Sequence, residues 1–298
     1  MSRGEGNIAH AARLIRAGRL VAFPTETVYG LGANALDRAA VERIFAAKGR
    51  PRTSPLIVHV DSIEMARGLA SIWPDAAEVL ARRYWPGPLT LVVLKRAEIP
   101  DVVTAGLPTV ALRMPAHPLA LELIRTAGVP IAAPSANRFT ELSPTCAAHV
   151  PEGLADYVLD GGPARVGIES TVLSLVDRPL LLRPGVIPLP EIEALIGAVE
   201  VATAPEAGPH ASPGMHARHY RPATPLYLLR PGQGPPEGHG AWLRIGEEMP
   251  ADPLEYAAVL YETLHRLDVE RLDWIAVEQP PETAEWAGVL DRLRRAAG

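Results

Sequence analysis

Leu20-Val-Ala-Phe-Pro-Thr-Glu-Thr-Val-Tyr-Gly-Leu-Gly-Ala-Asn-Ala-Leu-Asp37 runs from a short apolar stretch through a polar loop to a helix start. Leu20–Phe23 reads as a buried strand stopped by Pro24. Asp37 reads as the N-cap of a helix over 37–48, with Val41, Ile44 and Phe45 on one face and Gly49 just past its end. Between strand and helix, Gly30-Leu-Gly-Ala-Asn-Ala35 has the loose G-x-G-x-x-A spacing of dinucleotide sites. The pattern fails, because six residues separate it from the strand and the position about 20 residues on is Arg50, not an acid. What remains is a polar loop, Thr25-Glu26-Thr27 beside Tyr29, set between a strand and a capped helix. That is the grammar of an α/β chain.

The same grammar repeats outward. Strand patterns recur at 56–60, 90–94, 109–114, 129–133, 157–160 and 171–176, bounded by Gly, Pro or Asp. Asp61 with Glu64 reads as a capping box opening the next helix, and helical patterns fit 75–84 and 117–127. Pro205–Pro236 holds eight prolines and four glycines in 32 residues and reads as a linker. Its centre, Ser212 to Pro222, is unusually rich in His, Arg and Tyr for a spacer. Beyond it, strands at 242–245 and 274–278 and helices near 253–267 and 284–297 form a small βαβα unit. The expected organisation is an α/β domain over 1–204, a proline-rich linker or lid over 205–225, and a small Rossmann-like α/β domain over 226–298.

Composition narrows the function classes. The 298 residues are 48% hydrophobic and 21% charged, so wholesale disorder is excluded. Apolar runs fall far short of a membrane span and no signal pattern appears, so a cytoplasmic protein without membrane contact is expected. Residues 1–200 balance 20 basic against 20 acidic side chains, and residues 201–298 hold 9 against 14. General coating of nucleic acid normally needs a basic excess, which is missing. The single cysteine, Cys146, rules out an internal disulfide and reads as a small core residue. His210, His216 and His219 lack the spacing of a zinc site, so no protein-held metal is expected.

Three polar knots carry the candidate chemistry. Lys48-Gly-Arg-Pro-Arg52 reads blandly as a helix terminus, with Lys complementing the dipole, and more sharply as a compact grip for phosphate. Thr25-Glu26-Thr27 reads as an ordinary turn or a polar site wall. Ala133-Pro-Ser-Ala-Asn137 follows a strand, where open α/β sheets bind ligands, and offers Ser135 and Asn137. Ser143 reads as a Ser-Pro helix entry able to cap an anion. Arg113 and Arg183 close apolar runs, a placement that suits a charged partner.

Taken together, the knots resemble the L-threonylcarbamoyladenylate synthase family, in its two-domain form with a YrdC-like domain. The resemblance rests on Phe23-Pro-Thr-Glu-Thr-Val-Tyr-Gly-Leu-Gly-Ala33, Lys48-Gly-Arg-Pro51 running into Pro55-Leu-Ile-Val-His59, and Ala133-Pro-Ser-Ala-Asn137. Glu169-Ser-Thr-Val172, Leu182-Arg-Pro-Gly185 and the linker motif ending Arg218-His-Tyr220 extend it. It implies a twisted mixed-sheet domain followed by a small Rossmann-like one, shorter here than the family usually shows. It also implies condensation of L-threonine, bicarbonate and ATP into threonylcarbamoyl-AMP and pyrophosphate, with Mg²⁺ carried by ATP. The product would pass to a tRNA-modifying threonylcarbamoyl transferase, and weak tRNA binding is compatible.

By the same resemblance, Lys48 and Arg50 are catalytic and bind ATP with Ser54, Thr109, Ser135, Asn137, Ser143, Arg183 and Tyr220. Thr27, His59, Arg113, Ala133 (through its backbone) and Ser170 hold L-threonine. Arg113 is expected on its carboxylate. Two other readings stand beside this one: a carbamoyl-adenylating maturation factor, and a non-catalytic module binding double-stranded RNA or tRNA.

Overall fold

Residues 3–202 and 220–297 are described by the structure, a computed structural model. The first part runs α1 (Arg3–Arg16), β1 (Val21–Phe23), β2 (Gly30–Asn34), α2 (Arg38–Lys48), β3 (Ile57–His59), α3 (Ile63–Leu69) and α4 (Asp75–Tyr84). It continues through β4 (Leu89–Leu94), α5 (Asp101–Thr104), β5 (Thr109–Arg113), α6 (Pro118–Ala127), β6 (Ile131–Ala132) and β7 (Tyr157–Val158). Strands β8 (Thr171–Ser174) and β9 (Leu180–Arg183), helix α7 (Leu189–Ile196) and strand β10 (Glu200–Val201) close it. The second part holds β11 (Leu226–Leu229), β12 (Gly240–Leu243), α8 (Pro253–Asp268), β13 (Trp274–Glu278) and α9 (Ala287–Ala297).

Ten strands form one mixed sheet in the order β10-β9-β8-β4-β5-β3-β6-β2-β1-β7. Strands β3 and β5 are parallel neighbours in register His59 to Arg113, so their carboxyl ends present those two side chains together. A separate parallel sheet, β11-β13-β12, lies in the second part. The α/β expectation therefore holds, with a large mixed sheet and a small parallel one.

Local signals explain several boundaries. The Asp37 carboxylate accepts from Ala39 N and Ala40 N, and Gly49 at φ 65° closes α2 in the left-handed conformation that spares glycine a Cβ clash. At α3 the expected capping box is corrected. Ser62, not Asp61, caps the helix through Met65 N, while Asp61 accepts the Ser62 hydroxyl. The Gly30-Leu-Gly-Ala-Asn34 stretch, where no strand was expected, is strand β2, paired with β1 and β6. A Cβ on Gly32 would come within 2.7 Å of the Phe23 ring, so tertiary crowding selects glycine there.

One hydrophobic cluster joins the two parts. Val28, Leu142 and Ile168 from the first pack with Tyr256, Leu260, Leu264, Val289 and Leu293 from the second. At Gly288 a side chain would meet Gly185 O at 2.4 Å, so α9 lies directly on the Leu182-Arg-Pro-Gly185 segment. This contact brings α9 to the site.

Candidate active site

Thr27, His59, Arg113 and Ala133 line one side of a cleft where the loop before β2 meets the carboxyl ends of β3 and β5. Arg50, Ser135, Ser170, Arg183 and Tyr220 complete it, with Thr25 and Glu169 beside them. Most expected site residues, drawn from all three knots, thus meet at one place.

Lys48 stands just behind the wall. Read as a helix-end lysine it would be exposed, yet it is 4% exposed, and its ammonium donates to Ser135 O at 2.6 Å and to Asn137 O. The turn after α2 is therefore tied to the Ala133–Asn137 loop. Burial, reinforced by Arg50, holds the Lys48 amine well below its ordinary value. Arg50 donates to Ser54 O at 3.4 Å and Pro55 O at 3.2 Å, and burial brings it down to about 10. Ser54 is wholly buried and shapes that turn. Asn137 gives its amide to Arg138 O and Glu141 O, both at 2.8 Å, leaving Oδ1 buried with no partner among the described residues.

On the opposite side, Arg113 donates to Glu26 Oε1 at 2.7 Å and to Gly87 O at 3.2 Å. Glu26 Oε2 takes Ala116 N at 2.9 Å, so both carboxylate oxygens are engaged. His59 packs edge-on to Phe23, its Nδ1 buried without a partner among the described residues. Burial and the Arg113 charge lower its pKa to about 3, which keeps the imidazole neutral. Ser170 shares a 2.7 Å hydrogen bond with Thr90, while Arg183 holds Ser170 O through Nε at 3.1 Å and Nη2 at 3.0 Å. The cleft is thus walled by desolvated cations, hydroxyls and one neutral imidazole. Its two nearby carboxylates, Glu26 and Glu169, are each taken by an arginine.

Three expected placements change. No helix starts at Ser143; its hydroxyl instead donates to Glu169 Oε1 at 2.6 Å, and the next carbonyl, Pro144 O, accepts from Tyr29 N. Thr109 is the first residue of β5, about 13 Å along the strand from Arg113, and does not line the cleft. Cys146 is half-buried rather than core, with its sulfur within 4.8 Å of ligand atoms on His149 and Glu262. The linker residues His210, His216 and His219 lie outside the described residues.

Sequence reading missed Glu26 as the partner of Arg113, and Tyr261 and Arg292 as partners of Glu169. An acid inside Thr25-Glu26-Thr27 was a signal for the first. Arg292 gave none that distinguishes it from Arg294 and Arg295 in the same helix.

Residues 13–185 match the Sua5/YciO/YrdC family, described as telomere recombination. Residues 187–298 match the family described as the C-terminal domain of threonylcarbamoyl-AMP synthase. The chain is 44% identical to threonylcarbamoyl-AMP synthase of Pyrococcus abyssi, over 99% of this chain and 95% of that protein. It is 43% identical to the Bacillus subtilis protein of the same name, over 100% and 95%. A crystal structure of P. abyssi Sua5 complexed with L-threonine superposes with a TM-score of 0.91 at 43% identity, covering 97% of this chain and 94% of that one. Among the described residues, no helix is long and apolar enough to cross a membrane. Both parts of the sequence, and the fold that carries the cleft, place this chain in the threonylcarbamoyl-AMP synthase family.

Proposed function

We propose that this chain is a nucleotidyltransferase that condenses L-threonine, bicarbonate and ATP into threonylcarbamoyl-AMP and pyrophosphate. The observation that supports this best is the desolvated pair Lys48 and Arg50, anchored to backbone carbonyls beside Ser135 and Asn137. Buried donors fixed in place stabilise charge on a transferring phosphoryl group without reorganising during reaction.

In this reading the threonine amine and bicarbonate form a carbamate with loss of water. A carbamate oxygen then bonds to the α-phosphorus as the bond to the β-phosphate oxygen breaks, and pyrophosphate leaves. Lys48, Arg50 and Arg183 hold the phosphates in line. Ser135, Asn137 and Ser143 are assigned to the nucleotide side, with Tyr220 covering it. Arg113 faces the threonine carboxylate, oriented by its bonds to Glu26 and Gly87 O. Thr27, Ser170, the Ala133 backbone and neutral His59 surround the rest of the amino acid. A neutral amine attacks bicarbonate or CO₂ without a strong general base.

The donor set also fits Mg²⁺ as a companion of ATP. All four oxygens of Glu26 and Glu169 already have partners, so the ion suits phosphate oxygens and water better than a carboxylate cage. When bound it neutralises phosphate charge. A cytoplasmic place of action, and transfer of the product to a tRNA-modifying threonylcarbamoyl transferase, belong to the same reading.

The test is pyrophosphate release with each substrate omitted in turn. Release is expected only with ATP, Mg²⁺, bicarbonate and L-threonine together. Release from ATP and carbamoyl phosphate without L-threonine would point to the maturation-factor chemistry. RNA binding with no nucleotide turnover would overturn the catalytic assignment.

A further inference from the structure

The C-terminal helix α9 sends one fully buried arginine into the wall of the cleft. Arg292 is 1% exposed. Its Nε donates to Glu169 Oε2 at 2.7 Å and its Nη2 to Glu169 O at 3.0 Å. Nη1 donates to Pro184 O and to Asp291 Oδ2, both at 2.8 Å. The guanidinium carbon also lies 5.4 Å from the centre of the Tyr220 ring, close enough for a cation–π contact. Tyr220 is held at φ 62°, a backbone region that a non-glycine residue occupies only when its surroundings enforce it.

Glu169 is the hub of this arrangement. It lines the cleft, takes the Ser143 hydroxyl on Oε1, and takes Tyr261 OH at 3.2 Å on Oε2 beside Arg292. Two arginines fix consecutive carbonyls, with Arg292 on Glu169 O and Arg183 on Ser170 O. The charged or titratable groups facing Glu169 are Arg183 on β9, Arg292 and Asp291 on α9, Tyr261 on α8, and Tyr220. A buried ion pair is poor glue, since an apolar pair of similar volume holds as well or better. A carboxylate beside a triphosphate site, however, repels the ligand unless a fixed cation cancels it.

We propose that Arg292 is a positioning residue for the nucleotide half of the site: it cancels the Glu169 charge at the cleft wall and seats the Tyr220 ring. Helix α9 thereby completes the ATP site without touching the ATP itself. This rests on the assignment of the Lys48–Arg50 side as the phosphate site. Arg292 is the cation that most opposes the effect of burial on Glu169, whose carboxyl ends below its ordinary value. Without Arg292, burial favours the protonated acid, and the cost of an unpaired anion appears as pH rises.

The experiment is titration of Mg²⁺-ATP into the full-length chain, with pyrophosphate release measured in parallel. Arg292→Met is expected to raise the Kd for ATP by roughly 10- to 100-fold at pH 8. The ratio to wild type should shrink as pH is lowered and Glu169 takes up a proton. KM for L-threonine should move far less than KM for ATP. Adding Glu169→Gln to Arg292→Met should recover most of the affinity and flatten the pH trend. Glu169→Gln alone should keep or tighten ATP binding, and it carries the test if Arg292→Met does not fold. Unchanged ATP affinity in folded Arg292→Met, an equal loss for both substrates at every pH, or weaker binding in Glu169→Gln would each make Arg292 a packing residue and overturn the proposal. Absence of ATP binding in the wild type would instead overturn the underlying site assignment.

Discussion

Replacing Lys48 with methionine keeps most of the alkyl stem and removes the charge and its donors. The structural share of the effect follows from the two carbonyls it serves. Ser135 O and Asn137 O lose a buried donor, at about 1–3 kcal/mol each. Burying the ammonium itself costs about several kcal/mol, which the variant no longer bears. The two effects oppose each other and are of similar size, so a net change in stability within about 3 kcal/mol is expected. The catalytic share is larger in kind: loss of one preorganised transition-state donor lowers turnover about 10²- to 10³-fold.

The pH dependence separates the two shares. The folded-state pKa of Lys48 is depressed below its unfolded value of 10.5. Below the folded pKa both states are protonated and the full cost of burying the charge is present. As pH rises from there towards 10.5, the unfolded chain binds more protons than the folded one, and wild type gains stability. Lys48→Met lacks that gain. Urea unfolding across alkaline pH, with steady-state pyrophosphate release from the same preparations, reads both quantities. Wild-type turnover in a folded variant would refute the phosphate-grip reasoning and leave Lys48 as a brace between two loops.

Acid should destabilise the protein through two buried imidazoles, His59 at about 3 and His265 at about 4, both from 6.5. Below pH 6.5 the unfolded chain takes up protons that the folded state refuses, so stability falls towards pH 4. The His265 share is about 3 kcal/mol, and urea midpoints of His265→Phe should show that part of the slope missing. Gly288→Ala forces a Cβ within 2.4 Å of Gly185 O, so α9 must shift. Calorimetric unfolding should report a loss of about 1–3 kcal/mol, and an unchanged transition would contradict the close approach. Truncation after residue 205 removes Arg292 and Tyr261 and uncovers Val28, Leu142 and Ile168. Circular dichroism should still show α/β structure while pyrophosphate release falls at least about 10²-fold; full-rate synthesis by the truncated chain would refute any need for the second part.

Much of the architecture was legible because it is written in local chemistry. Asp37 and Gly49 bracket α2 through hydrogen bonds and a backbone conformation that depend on only a few neighbouring residues. Apolar runs bounded by prolines and glycines marked β3, β4, β5 and β8, since a central strand needs little more than a short stretch without breakers. The three polar knots stood out because their cations and hydroxyls occur together within a few positions. Tertiary structure decided what distance along the chain concealed. Gly30 and Gly32 matched only a loose dinucleotide spacing, and it is pairing with β1 and β6, with Phe23 and Ile131 crowding Gly32, that makes the stretch a strand. Ser143 read as a helix cap until Glu169, 26 residues on, claimed its hydroxyl. Nothing in the sequence set Arg292 apart from Arg294 and Arg295, and folding placed it 2.7 Å from a carboxylate 123 residues earlier. Caps and strand runs are energies of neighbouring residues and can be read in order. Burial and charge pairing depend on what surrounds a side chain in space, and only the fold supplies those surroundings.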